Sequence, residues 1–167
     1  NTGNDTDTDA EPLSYAITGG NPDGIFEIDI GTGVISILDN TNLNHETTPQ
    51  YLLNVVATDG INIDAAVITI DVTDVNEAPT AISPTGFSVD ENTDTSGGHS
   101  LGVLSTTDED SGDSASYSIV GGADAGRFSI GGGAADELII DAGVLDRATQ
   151  SSYEVLVRVT DSGGLAH

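Results

Sequence analysis

The residues able to do chemistry here are oxygen donors. Of 167 residues, 28 are Asp or Glu and three are Arg, with no Lys, for a formal net charge of -25. The acids recur in short sets: Asp7 and Asp9, Asn44 and Glu46, Asp59, then Asp74, Asn76 and Glu77. The set continues with Glu91 and Asn92, Asp108 and Asp110, Asp146, and Asp161. Carboxylates, Asn side chains and loop carbonyls are the ligands of a hard cation, and Ca²⁺ takes about six to eight of them. Without a cation such a set repels itself, by roughly 4 kcal/mol for two like charges 4 Å apart at an effective dielectric of 20. The competing reading is that these acids are solvated turn residues; position decides between the two.

Other chemistries find little support. There is no cysteine, hence no disulfide, thiol nucleophile or Cys-based zinc site. His45, His99 and His167 are scattered with no HExxH pattern, and His45, beside Glu46 in a polar loop, is expected to be solvated. Three arginines cannot form a nucleic-acid face. No apolar run approaches the ~20 residues of a membrane span. Asp5-Thr6-Asp7-Thr8-Asp9 opens like an EF-hand loop, but Ala10 and Ala16 stand where its glycine and bidentate Glu belong. Gly131-Gly132-Gly133 lacks the nine-residue period of a calcium nonapeptide and is expected to join a hairpin. Paired acids also serve glycosidases, but those need a cleft that a small sandwich poor in aromatics does not offer. No enzyme is expected.

The acids are carried by a duplicated frame. A shift of 102 residues aligns positions 14–59 with 116–161 at 17 of 46 identities, including Tyr15 with Tyr117, Gly19-Gly20 with Gly121-Gly122, Phe26 with Phe128, Tyr51 with Tyr153 and Asp59 with Asp161. A period near 100 residues is the size of one small sandwich domain. Each copy reads as short strands. Tyr51, Leu53, Val55 and Ala57 alternate on one face, as do Ile68, Ile70 and Val72, and Tyr153, Val155, Val157 and Val159. Phe87 and Val89, Leu101 and Val103, Tyr117 and Ile119, and Phe128 and Ile130 mark further strands, with the aromatics as core residues. Asp74 to Pro79 reads as a short linker stiffened by proline, giving domains 1–77 and 78–167. In this frame the first copy lacks its N-terminal strands and the second its last, so the chain is expected to be a slice of a longer array. Strand ends gather at the poles of a sandwich, and the acids lie at strand ends.

The stretch Asp74-Val75-Asn76-Glu77-Ala78-Pro79 resembles the inter-repeat linker of cadherins in its bacterial variant. Asp90-Glu91-Asn92 resembles the cadherin x-Glu-Asn motif, and Asp108-Glu109-Asp110 and Asp7-Thr8-Asp9 its Asp-x-Asp motif. Leu145-Asp146-Arg147 and Leu43-Asn44-His45-Glu46 look like Leu-Asp-Arg-Glu, and Thr58-Asp59 and Thr160-Asp161 like the Ala-x-Asp ending the sixth strand. The resemblance implies two tandem cadherin-like, Ig-like Greek-key β-sandwiches, all-β, with Ca²⁺ between successive repeats. It implies an inter-repeat ligand set of Asn44, Glu46, Asp74, the Asn76 carbonyl, Glu77, Asp108, Asp110 and Asp161. Asp7, Asp9 and Asp59, and Glu91 and Asp146, become half-sites facing repeats before and after. Asn44 and Ala148 replace an Asp and a Glu of the motif, and Glu77-Ala78 stands where animal cadherins have Asp-Asn, so roughly one to three ions are expected.

The function so implied is a calcium-stiffened extracellular spacer or adhesion module of a large bacterial surface protein. Its partners would be neighbouring repeats, and a homophilic, carbohydrate or other cell-surface contact. A carbohydrate- or protein-binding module is the alternative. With no Trp and all four tyrosines at core-like positions, it lacks the usual aromatic platform.

Overall fold

The computed structural model describes residues 12–167. Internal contacts divide the chain into two compact units, residues 1–75 and 76–167. Each is all-β; among the described residues the single helical piece is a 3-10 turn, Ala125–Arg127.

The first unit is built from β1 (Ser14–Gly19), β2 (Phe26–Ile28), β3 (Ile35–Ile37), β4 (Gln50–Thr58) and β5 (Ile63–Asp71). β4 lies between β1 and β5 in one antiparallel sheet, and β2 pairs with β3 in a hairpin. The alternation read along β4 is the one observed: Tyr51 and Leu53 are buried, while Leu52 is half exposed. Ile25, Phe26, Tyr51 and Leu53 form the core, with Ile17, Ile35, Leu43, Val55, Ile70 and Val72 packed on it.

The second unit comprises β6 (Ala81–Ser83), β7 (His99–Val103), β8 (Ser105–Thr107), β9 (Ser116–Gly121), β10 (Phe128–Gly131), β11 (Glu137–Ile140) and β12 (Leu156–Thr160). Three antiparallel sheets form, ordered β10-β11-β7, β12-β9 and β6-β8. Its core is Leu104, Phe128, Leu138, Ile140 and Leu145.

The duplication read in sequence is carried into register. Ser14 faces Thr58 and Ser116 faces Thr160; Ile17 faces Val55 and Ile119 faces Val157. Both pairs bulge before their glycine, where Gly19 faces Asn54 and Gly121 faces Leu156. The next residues, Gly20 and Gly122, have φ of +79° and +104°, and a Cβ would lie 1.8 Å from the Leu52 carbonyl oxygen and 2.6 Å from that of Glu154. Only glycine meets both demands. The edge-to-face aromatic pair also recurs: Phe26 on Tyr51 at 5.1 Å, and Phe128 on Tyr153 at 6.4 Å.

Two strand readings need correction. Phe87 and Val89 lie in irregular chain that packs on the core without joining a sheet. Tyr153 and Val155 precede β12, which begins only at Leu156. Side-chain alternation fixes which face is apolar, but a strand also needs a hydrogen-bonding neighbour. Gly131–Gly133 does join a hairpin, between β10 and β11.

Candidate metal centre

Two registers build the acidic end of the second unit. β6 pairs with β8 so that Ala81 faces Thr107, which sets the residues before Ala81 beside those after Thr107. The Thr80 amide donates to the Thr107 carbonyl at 2.8 Å, and the Glu77 amide to Asp110 Oδ2 at 2.8 Å. β9 pairs with β12 so that Ser116 faces Thr160, which sets the residues before Ser116 beside those after Thr160. The Ser162 hydroxyl donates to Asp113 Oδ1 at 2.6 Å. The loop from Asp108 to Asp113 joins β8 to β9 and so belongs to both registers. Asn76, Glu77, Asp108, Asp110 and Asp161 are thereby gathered within this unit.

Asp161 is 6 % exposed. Its Oδ1 accepts the Leu165 amide at 2.7 Å and its Oδ2 the Asn76 side-chain amide at 2.9 Å. Burial alone pushes this carboxyl up; the bonds from Asn76 and from the Leu165, Gly164 and Gly163 amides overcome that and hold it below the ordinary aspartate range. Asp108 Oδ1 accepts the Asp110 amide at 3.2 Å. Carboxylate oxygens of Asp108, Asp113 and Asp161 all lie within 4.8 Å of one another.

Asp113 is the residue that sequence reasoning missed. Its Oδ2 is buried with no hydrogen-bond partner. A desolvated, unpartnered carboxylate oxygen beside two more carboxylates is costly unless a cation shares it. The signal was in the Asp108-Glu109-Asp110-Ser111-Gly112-Asp113 run, whose last acid falls outside the Asp-x-Asp pattern. The donor set of hard, anionic oxygens fits Ca²⁺. Asp108, Asp113 and Asp161 are the residues that would hold it.

The first unit has a second cluster at the opposite end of its own sheet, where β4 begins and β5 ends, away from Asp59. Gln50 faces Asp71 across β4 and β5, and the Val72 amide donates to the Pro49 carbonyl at 2.9 Å, which draws the Asn44–Glu46 loop towards the chain after Val72. His45 Nδ1 sits 2.8 Å from the Val72 carbonyl, so it is a positioned residue and not the freely solvated one expected. A nitrogen or oxygen from each of His45, Glu46 and Asp74 falls within 4.8 Å of the others. Asn44 serves its own turn, its Oδ1 accepting the Thr47 amide at 2.6 Å.

The expected half-sites fare differently. Asp7 and Asp9 lie outside the described residues. Asp59 Oδ1 accepts the Ile61 and Asn62 amides at 2.8 and 2.6 Å; with the Asn62 side chain, these bonds hold its carboxyl below the ordinary range. At the far end of the second unit, Glu91 Oε2 accepts the Arg147 amide at 3.0 Å, so the Glu91 and Asp146 loops do meet. Asp146 turns its oxygens on Thr149 and the Ala148 amide, which likewise lower its pKa. Among the described residues, no group of three potential ligands includes Asp59, Glu91 or Asp146.

Comparison with known proteins agrees with this architecture. The family model described as "Cadherin domain" matches residues 2–78 and 85–166. Protocadherin Fat 2 of Rattus norvegicus is 32% identical over 159 residues, covering 92% of this chain and 4% of that protein. Cadherin-1 of Gallus gallus is 36% identical over 168 residues, covering 91% of this chain and 18% of that one. The chain thus spans a small fraction of the relatives it matches. Among solved structures, the extracellular cadherin domains 3-6 of Protocadherin Gamma B2 superpose with a TM-score of 0.70 at 26% identity, covering 96% of this chain and 38% of that one. Duplicated register, strand-end acids and these matches together establish that the chain belongs to the cadherin domain family, as a tandem pair of its β-sandwich domains.

Proposed function

We propose that this chain is a calcium-binding pair of cadherin repeats that serves as a stiffened extracellular spacer or adhesion module. Cadherin domains mediate cell adhesion and are in general calcium-binding. The observation that carries the proposal for this chain is the Asp108, Asp113 and Asp161 trio, with oxygens within 4.8 Å and one of them buried without a hydrogen-bond partner. Ca²⁺ supplies charge neutralisation there, and the residues' part is to hold that ion. Asn76 orients Asp161 through its side-chain amide, and Asp110 holds the Glu77 backbone.

The wider set of Asn44, Glu46, Asp74, Asn76, Glu77, Asp108, Asp110 and Asp161 is proposed as the ligand set of the linker motif, with Asp113 added. Calcium uptake by both repeats' acids would then stiffen the link between them. The bacterial surface setting rests on the Glu77-Ala78 form of the linker, the 21 glycines and the absence of lysine. Contact with a like chain or a cell-surface partner belongs to the same proposal. A sugar-binding module is less well supported, because Tyr51 is buried and Tyr15, Tyr117 and Tyr153 are half-buried.

The test is thermal melting and small-angle scattering with chelator and with millimolar Ca²⁺. A higher melting temperature and a narrower distribution of chain dimensions in calcium support the proposal. Superimposable curves overturn it.

A further inference from the structure

His45 is the only histidine in the sequence of the first unit, which contains no Arg or Lys. Its side chain is half-buried, with Nδ1 2.8 Å from the Val72 carbonyl. A carbonyl only accepts, so Nδ1 carries the hydrogen and donates it. The neutral ring then keeps its lone pair on Nε2. A backbone carbonyl that holds one imidazole nitrogen is the usual support of a histidine that ligates a metal through the other.

Two carboxylates share this corner, an oxygen of Glu46 and one of Asp74 lying with a His45 ring nitrogen inside 4.8 Å. Other turn acids of the unit use their oxygens locally: Asp29 on Gly31 and Thr32, Asp39 on Thr41, and Asp59 on Ile61 and Asn62. Among the described residues, neither the Glu46 nor the Asp74 carboxylate takes a hydrogen bond or an ion pair. The unit has no fixed cation of its own to balance them. The 102-residue shift that relates the two copies sets Arg147 at the position of His45 and Ala148 at that of Glu46. A guanidinium is a permanent cation with no lone pair to give. The corner is therefore particular to the first copy and is not demanded by the shared frame.

We propose that His45, Glu46 and Asp74 form a site for a transition-metal ion of the zinc class, with His45 Nε2 as its nitrogen ligand. Imidazole favours Zn²⁺ and its neighbours, whereas Ca²⁺ takes about six to eight oxygens. Ligand atoms about 2.1 Å from a tetrahedral zinc stand about 3.4 Å apart, and small rotations of these surface side chains span the difference. Water takes the fourth position, as in open zinc sites. The proposal goes beyond the calcium reading. The Asp108, Asp113 and Asp161 trio offers no nitrogen and stays a calcium centre. The two ions compete only for Glu46 and Asp74, which the wider calcium set also includes.

The test titrates Zn²⁺ alone into the metal-free 167-residue chain, followed by calorimetry and by the imidazole nitrogen signals in NMR. Expected is a tightest zinc site at which His45 Nε2 shifts and saturates while its Nδ1–H persists and the His99 and His167 signals stay in place. His45→Ala should weaken that site by about tenfold or more, and Glu46→Gln and Asp74→Asn by about fivefold or more each. The last two keep the His45 tether, so they should leave metal-free melting unchanged and separate lost ligation from a lost fold. His45→Arg, which copies Arg147, should abolish zinc binding at this corner. Asp108→Asn should leave it within about twofold, so the calcium centre can fail without this proposal. No shift at His45, equal zinc affinity in His45→Ala, or zinc binding that Glu46→Gln and Asp74→Asn both leave intact overturns the proposal. So does a tightest zinc site that Asp108→Asn removes.

Discussion

Within the acidic cluster, two neighbouring aspartates should respond oppositely to loss of charge. Asp161 is held by the Asn76 amide and the Leu165 amide. Asp161→Asn sets an amide against the Asn76 amide, and should cost about 1–3 kcal/mol in urea denaturation with chelator present, as well as weakening calcium. Asp113→Asn relieves a buried, unpartnered oxygen. Its stability in chelator should be unchanged or higher, while its calcium affinity falls by about tenfold, or ~1.4 kcal/mol. Equal behaviour of the two variants would contradict the site. A pH dependence follows from the turn acids. Asp59 has its folded pKa lowered by the Asn62 and Ile61 amides, so its contribution is present above its unfolded value of about 3.9 and is lost as pH falls through the folded value. The stability gap between the parent chain and Asp59→Ala should be widest near neutrality and close in acid, read from melts at stepped pH. The sequence marked Asp108, Asp110 and Asp161 through spacing and order. It hid Asp113, which is recruited by Ser162 through a register joining residues 49 apart.

Among the elements, the strand pairings turn an acid's place in the chain into a place in space. Gly20 and Gly122 let the chain bulge and cross close behind the next strand. Gly20→Ala forces a Cβ onto the Leu52 carbonyl at a φ of +79° and should cost about 1–3 kcal/mol or more. Gly24→Ala, with φ of +66° and open space around it, should cost only about 1 kcal/mol. Chemical denaturation of both separates close approach from backbone strain. Leu53→Ala, in β4 opposite Ile68 of β5 and 0 % exposed, should cost about 2–5 kcal/mol. Apolar alternation made β4 and β5 legible in the sequence, since the two alternating runs are also each other's hydrogen-bonding neighbours. Phe87, Val89, Tyr153 and Val155 carried the same alternation and misled, because hydrogen-bond partners are a tertiary property that one strand's sequence does not contain. The His45 tether to Val72 escaped for a similar reason, resting on the pairing of Gln50 with Asp71.

For the whole molecule, the charge of -25 has two parts. Some of it is placed by pairing into clusters that a divalent ion can satisfy, and the rest is spread over an anionic surface that calcium leaves untouched. Calcium should therefore raise stability by linkage, by about 2.7 kcal/mol when its concentration is a hundred times Kd, while added monovalent salt screens exposed charge in general without a saturable rise. The duplication was readable because a 102-residue shift preserves aromatic, glycine and aspartate positions that all serve one register. The most direct measurement is calorimetric titration of Ca²⁺ into the chelator-treated chain, beside the same titration of Asp108→Asn and Asp161→Asn. The expected result is saturable binding with Kd of about 10⁻⁴ to 10⁻³ M, as in extracellular modules, lost or strongly weakened in both variants. Heats no larger than dilution, or binding that both substitutions leave intact, would contradict a calcium centre at these residues.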